Sequence, residues 1–135
     1  MLLRLPEVMH AATGRPVRVL FLCRYNRQRS ATAERIFCKD PALDVRSAGT
    51  NYDALVRVNQ HMLEWADVIF VMDEDLQRKL CTDFPDHPAL ARIVCLDIPD
   101  DYLFLDPELV RLLQERTQAE LDRVKMLAAG SHTRD

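Results

Sequence analysis

Apolar positions along the chain fall into two rhythms. Short runs of β-branched and large apolar residues alternate with stretches whose apolar positions recur at helical spacing. Val17-Arg18-Val19-Leu20-Phe21-Leu22, bounded by Pro16 and a polar segment, is expected as a buried strand. Ser30 to Lys39 is expected as a helix with Ala31, Ala33, Ile36 and Phe37 on its inward face. Asp44-Val45-Arg46-Ser47 is a short strand candidate that runs into the turn signal Ala48-Gly49. A helical stretch from Asn59 to Trp65 precedes a second strongly apolar strand, Val68 to Met72. A short helix, Glu74 to Cys81, is stopped by Pro85 and Pro88, and Ile93 to Leu96 reads as the last strand. Beyond it Asp106 is a good N-cap, Pro107 suits the first helical position and Glu108 the positive end of the dipole. Leu109, Leu113, Leu121, Val124 and Leu127 then form one stripe, with Gly130 as the expected stop.

Strand and helix alternating four times predicts an α/β chain: a four-stranded parallel sheet with helices on both faces. Ligands of such sheets sit at the carboxyl ends of the strands, which singles out the loops after the first and last strands. A length of 135 residues suits a single domain spanning 1–135. Within it residues 1–15 are expected as an N-terminal extension, 16–129 as the core and 130–135 as a tail.

Composition narrows the function classes. The apolar share of 48% is too high for a disordered chain, and a formal charge of -3 gives no bulk attraction to nucleic acid or an anionic membrane. No run approaches a membrane span and the start lacks a signal-peptide pattern, so the expectation is cytoplasmic. Four cysteines are scattered without a CxxC pair. That removes support for a zinc site or a redox motif, and no metal or cofactor is expected. Cys38 and Cys95, among apolar neighbours, are expected in the core.

The loop after the first strand carries the chemistry: Cys23-Arg24-Tyr25-Asn26-Arg27-Gln28-Arg29-Ser30. A cysteine and an arginine six positions apart bracket one oxyanion when the backbone between them curls around it. The N–H groups of such a loop and the following helix N-terminus form an anion nest. The thiolate of Cys23 is a nucleophile. Arg29 offers a fork of donors to two phosphate oxygens, and Ser30 a hydroxyl to the sulfur. Asn26 is suited to a left-handed turn or to bracing the loop.

Cys23-x5-Arg29-Ser30 between an N-terminal strand and a helix resembles the low-molecular-weight protein tyrosine phosphatase family, in its short bacterial form. The family's asparagine three residues after the cysteine is matched by Asn26. Ser47-Ala48-Gly49-Thr50 and Val71-Met72-Asp73-Glu74 resemble two later landmarks, and the resemblance spans roughly residues 17 to 127. It implies a cysteinyl-phosphate mechanism on a phosphotyrosine-containing protein or a small aryl phosphate, without nucleic acid or membrane. Residues 24–30 would bind the phosphate, and Ser47 would support Asn26 from behind.

Two departures stand out. Tyr25 replaces the family's usual glycine, and Arg24 and Arg27 add positive charge that suggests an acidic or multiply charged substrate. The family's aspartate-proline after the last strand is also broken up here, as Leu96-Asp97-Ile98-Pro99-Asp100-Asp101. Asp97 is the first candidate for the general acid, Asp100 the second and Asp101 the third, whereas Asp106 reads as a helix cap. A histidine of the family's supporting network has no clear counterpart, since His61 falls in a helical stretch. The alternatives are an arsenate reductase on the same fold and a phosphocysteine carrier or phosphate-binding module. The first needs two further cysteines, where this chain offers Cys81 and has Met72 at the other expected position.

Overall fold

The run from Val17 to Cys23 is β1, an inner strand of the sheet, and all of its side chains except that of Arg18 are buried. The structure, a computed structural model, describes residues 15–133, so most of the expected N-terminal extension and the end of the expected tail lie outside the described residues. After β1 come α1 (Arg29–Phe37), β2 (Leu43–Gly49) and α2 (Gln60–Trp65). They are followed by β3 (Val68–Val71), α3 (Glu74–Asp83), a 3₁₀ turn (Pro88–Arg92), β4 (Ile93–Cys95) and α4 (Pro107–Thr133).

All three strand pairs are parallel, in the order β2-β1-β3-β4. This is the expected α/β sheet. Because parallel crossovers are right-handed, stepping from β1 outward to β2 and then back across to β3 sends α1 to one face and α2 to the other. Phe21 of β1 stacks between Phe70 of β3 and Phe37 of α1, with ring centroids 5.2 and 5.6 Å away. Leu20, Leu22, Ile69 and Val71 fill out the layers, and Leu109, Leu113, Leu121 and Val124 close one face along α4.

The chain leaves β1 toward β2 but leaves β3 in the opposite direction, so a crevice opens between the carboxyl ends of β1 and β3. Caps set the helices around it. Asn59 accepts from Met62 N–H at 2.9 Å, Asp73 from Leu76 N–H at 3.0 Å and Asp106 from Glu108 N–H at 2.9 Å.

Three expectations shift. The backbone of α4 passes Gly130 and continues to Thr133; a glycine inside a helix lowers its stability by only about 1 kcal/mol. Cys38 is exposed rather than core, because it is the C-cap where α1 turns away from the sheet. Cys95 is half-buried at the end of β4, and burial pushes its thiol pKa up. Among the described residues no helix is long and apolar enough to cross a membrane.

Candidate active site

Cys23 is the last residue of β1 and pairs in register with Gly49, the last of β2. The turn that follows reverses tightly into α1, and Asn26 at its apex takes a left-handed conformation with φ 60°. Asparagine tolerates that region better than most residues because its short amide bonds locally. Here the amide is buried and donates to Ser30 Oγ and to Ser47 Oγ, each at 2.9 Å. Ser47 Oγ then has its own proton to give, and donates it to the Glu34 carboxylate. Ser30 Oγ lies 3.0 Å from Cys23 Sγ and 3.3 Å from the Ala48 carbonyl. A chain of polar groups thus runs from Glu34 on α1 through Ser47, Asn26 and Ser30 to the sulfur.

The back of the loop is held as firmly. Thr50, Asn51 and Leu55 donate backbone N–H groups to the carbonyls of Cys23, Arg24 and Tyr25, at 2.9, 3.0 and 3.1 Å. The fit needs a glycine at position 49, since a Cβ there would stand 2.5 Å from the Arg24 oxygen and 2.6 Å from the Ala54 Cβ. With those carbonyls engaged outside, the N–H side of the turn is left for the interior. The first helical bond of α1 is donated by Thr32 to the Gln28 carbonyl at 2.8 Å, so the donors ahead of it remain unspent.

Arg29 is 1% exposed. Its Nη1 donates to Asp73 Oδ2 at 2.9 Å and to the Ile98 carbonyl at 2.8 Å. Its Nε is buried without a hydrogen-bond partner, with Asp100 Oδ1 at 3.5 Å. A buried guanidinium N–H left open beside a cavity is a donor held ready for an oxyanion. Asp73 serves twice, as N-cap of α3 and as anchor of Arg29. Burial pushes its carboxyl pKa up, but the hydrogen bonds from Arg29 and Leu76 and the charges of Arg29 and Arg24 outweigh that and hold it below the usual range.

These groups enclose a pocket of about 210 Å³ lined by Cys23, Arg24, Tyr25, Arg27, Gln28, Arg29 and Asp100. Asn26, Ser30 and Ser47 stand behind it, buried. Asp97, the first candidate for the acid, does not line the pocket, and neither does Asp101; both side chains are exposed. Leu96 and Ile98 donate N–H groups to the Val71 and Met72 carbonyls at 2.9 and 2.7 Å, and both are buried. Asp97 bridges them in a left-handed kink, φ 56°, with its carbonyl taken by Arg116. Asp100 reaches the mouth instead, 3.5 Å from Arg29 Nε and 4.0 Å from Arg24 Nε. Of the two carboxylates it is thus Asp100, and not Asp97, that lines the pocket.

Three contributors escape a linear reading: Asp73, Glu34 and the Ile98 carbonyl. Asp73 did carry a local signal, an N-cap three residues ahead of Leu76, but nothing local joins it to Arg29. His61 is exposed on α2, away from the polar chain, whose terminal place belongs to Glu34.

No protein-family model and no curated protein sequence matches the chain, so its likenesses lie in shape. The low-molecular-weight protein tyrosine phosphatase from Streptococcus pyogenes superposes with a TM-score of 0.65 at 21% identity, over 79% of this chain and 92% of that one. The chain has that fold. The arginine phosphatase YwlE from Geobacillus stearothermophilus shares it, with a TM-score of 0.62 at 19% identity over 82% of this chain and 96% of that one. So does a thioredoxin-dependent arsenate reductase from Corynebacterium glutamicum, with a TM-score of 0.58 at 19% identity over 91% of this chain and 70% of that one. The low-molecular-weight phosphatase fold thus hosts more than one chemistry, and the choice among them falls to the residues of the pocket.

Proposed function

We propose that the chain is a cysteine-dependent phosphomonoester hydrolase acting on phosphotyrosine in proteins or on small aryl phosphates. The observation that carries the reading is the meeting of Cys23 Sγ, with Ser30 Oγ 3.0 Å away, and a buried Arg29 Nε that has no hydrogen-bond partner, around one pocket. Cys23 Sγ attacks phosphorus and forms the S–P bond while the P–O bond to the leaving group breaks. The loop N–H groups and Arg29 hold the equatorial oxygens as charge shifts between them. Asp100 gives its proton to the departing phenolate oxygen. In the second step the Asp100 carboxylate takes a proton from water, the water oxygen attacks phosphorus, and the S–P bond breaks. The Ser30 hydroxyl then donates to the leaving thiolate. Residues 24–30 are the phosphate-binding loop, with Asn26, Ser30 and Ser47 as its support.

Tyrosine is favoured over arginine as the phosphorylated side chain. Arg24, Arg27 and Arg29 line the pocket, and a guanidino leaving group would bring a further cationic group among them. Tyr25, 42% exposed at the mouth, offers a ring to an aryl ester. An arsenate reductase would relay electrons through two more thiols. The α3 region supplies only Cys81, and position 72 is a buried methionine. A carrier would have little use for Arg29 and Ser30, which serve breakdown of the intermediate. A reducing cytoplasm is the setting that suits four free thiols.

The test is hydrolysis of p-nitrophenyl phosphate by freshly reduced protein with a chelator present, beside Cys23→Ser. Turnover that disappears in the variant is expected. Full turnover in Cys23→Ser would overturn the mechanism, and none in the native chain would overturn the enzyme.

A further inference from the structure

The three arginines of the pocket are not equivalent. Arg29 is buried and held by Asp73 at 2.9 Å. Arg24 stands among three carboxylates, with Asp73 at 3.8 Å, Asp75 at 3.9 Å and Asp100 at 4.0 Å. Arg27 is exposed, lines the same pocket, and forms no hydrogen bond or ion pair with any described residue. On a chain of net charge -3 an uncompensated guanidinium beside the reacting centre stands apart from its surroundings.

The scissile phosphate does not need it. That dianion is met by the inner N–H groups of the loop and by Arg29, which lines the pocket and whose buried Nε has no hydrogen-bond partner. Arg24 adds little outward field because its neighbours already balance it. Arg27 is the charge left for a group outside the scissile phosphate, and an exposed guanidinium takes carboxylates and phosphates equally well through its planar fork. Tyr25 lines the same pocket and is 42% exposed.

Building on the phosphatase reading above, we infer that Arg27 is a specificity residue that selects phosphotyrosyl substrates bearing a second anionic group next to the phosphotyrosine. The attraction is that of an exposed pair, worth about a two- to fivefold preference and weakened by salt. Carboxylate and phosphate share the required chemistry, and separate peptides tell them apart.

The experiment compares kcat/KM at low ionic strength for phosphotyrosyl peptides that differ only in one neighbour: Glu, phosphoserine, Gln or Lys. The expected order is phosphoserine, then Glu, then Gln, then Lys, with about a threefold step from Gln to Glu that shrinks in added salt. Arg27→Gln should flatten the series and Arg27→Glu should invert it, whereas Arg24→Gln should keep the wild-type order. A flat series in the native enzyme, or a preference that survives in Arg27→Gln, overturns the inference while leaving the phosphatase standing. Absence of turnover with every peptide and with p-nitrophenyl phosphate overturns both.

Discussion

At the scale of the residue, Asp97 and Asp100 follow the same strand, one outside the pocket and one lining it, and kinetics separate them. Asp100→Asn should lower kcat by about 10²-fold or more for an alkyl phosphate, whose leaving group needs the proton. The same change should cost much less for p-nitrophenyl phosphate, whose phenolate leaves unaided. Asp97→Asn should leave both rates as they are; an equal loss in the two variants would remove Asp100 from the mechanism. Asp73 offers a different test, through stability. Its folded-state pKa lies below the unfolded value of about 3.9, so its contribution is present above that pH and is lost as pH falls through the folded value. Wild type should therefore lose more stability than Asp73→Asn between about pH 5 and pH 2, as urea midpoints at each pH would record. That Cys23, Arg29 and Ser30 come together was legible because they lie within one short stretch of chain. Asp97 lies exposed and outside the pocket, at a residue with left-handed backbone (φ 56°), a placement that its distance from the strand in sequence does not announce.

Among elements, the decisive contact is that of the β2 end with the Cys23–Ser30 loop. Gly49 was readable as a turn signal, yet its φ is not what constrains it. The constraint is the Arg24 carbonyl, 2.5 Å from where a Cβ would sit. Gly49→Ala should destabilise the fold by about 1–3 kcal/mol through overpacking and should also lower kcat/KM, because the backbone that must yield belongs to the loop. A loss of stability with unchanged activity would mean that the 50–55 segment moves instead. The strands and helices themselves were largely visible as alternating runs and caps, with ends off by a residue or two except at α4, which runs past Gly130 to Thr133. Cys38 was misplaced because apolar neighbours in sequence do not share a face when a helix is ending.

Taken as a whole, the molecule places the pocket of Cys23 and Arg29 where β1 and β3 part, as a parallel sheet of this order favours. An anion bound there stabilises the folded state by linkage. Orthophosphate at a hundredfold over its Kd should raise the unfolding free energy by about 2.7 kcal/mol. The increment should shrink in Arg29→Lys, whose ammonium lacks the planar fork. An equal increment in that variant would place the anion elsewhere. The sheet and its loop could be foreseen from the alternation of elements, but the strand order could not, since it depends on which edges meet in space.

Arg29 is anchored on Asp73, which follows β3, and on the carbonyl of Ile98, which follows β4. β4 has three residues, all half-buried, and lies at the sheet edge. Short edge segments with little buried area are where a native protein opens first, by local unfolding far below the global free energy. Each such opening would withdraw Ile98 and Asp100 together, disarming the pocket while the rest of the sheet stays intact. Catalysis in this molecule would then report on the fraying of its weakest strand: in rising denaturant, turnover should vanish before the far-ultraviolet dichroism begins to change.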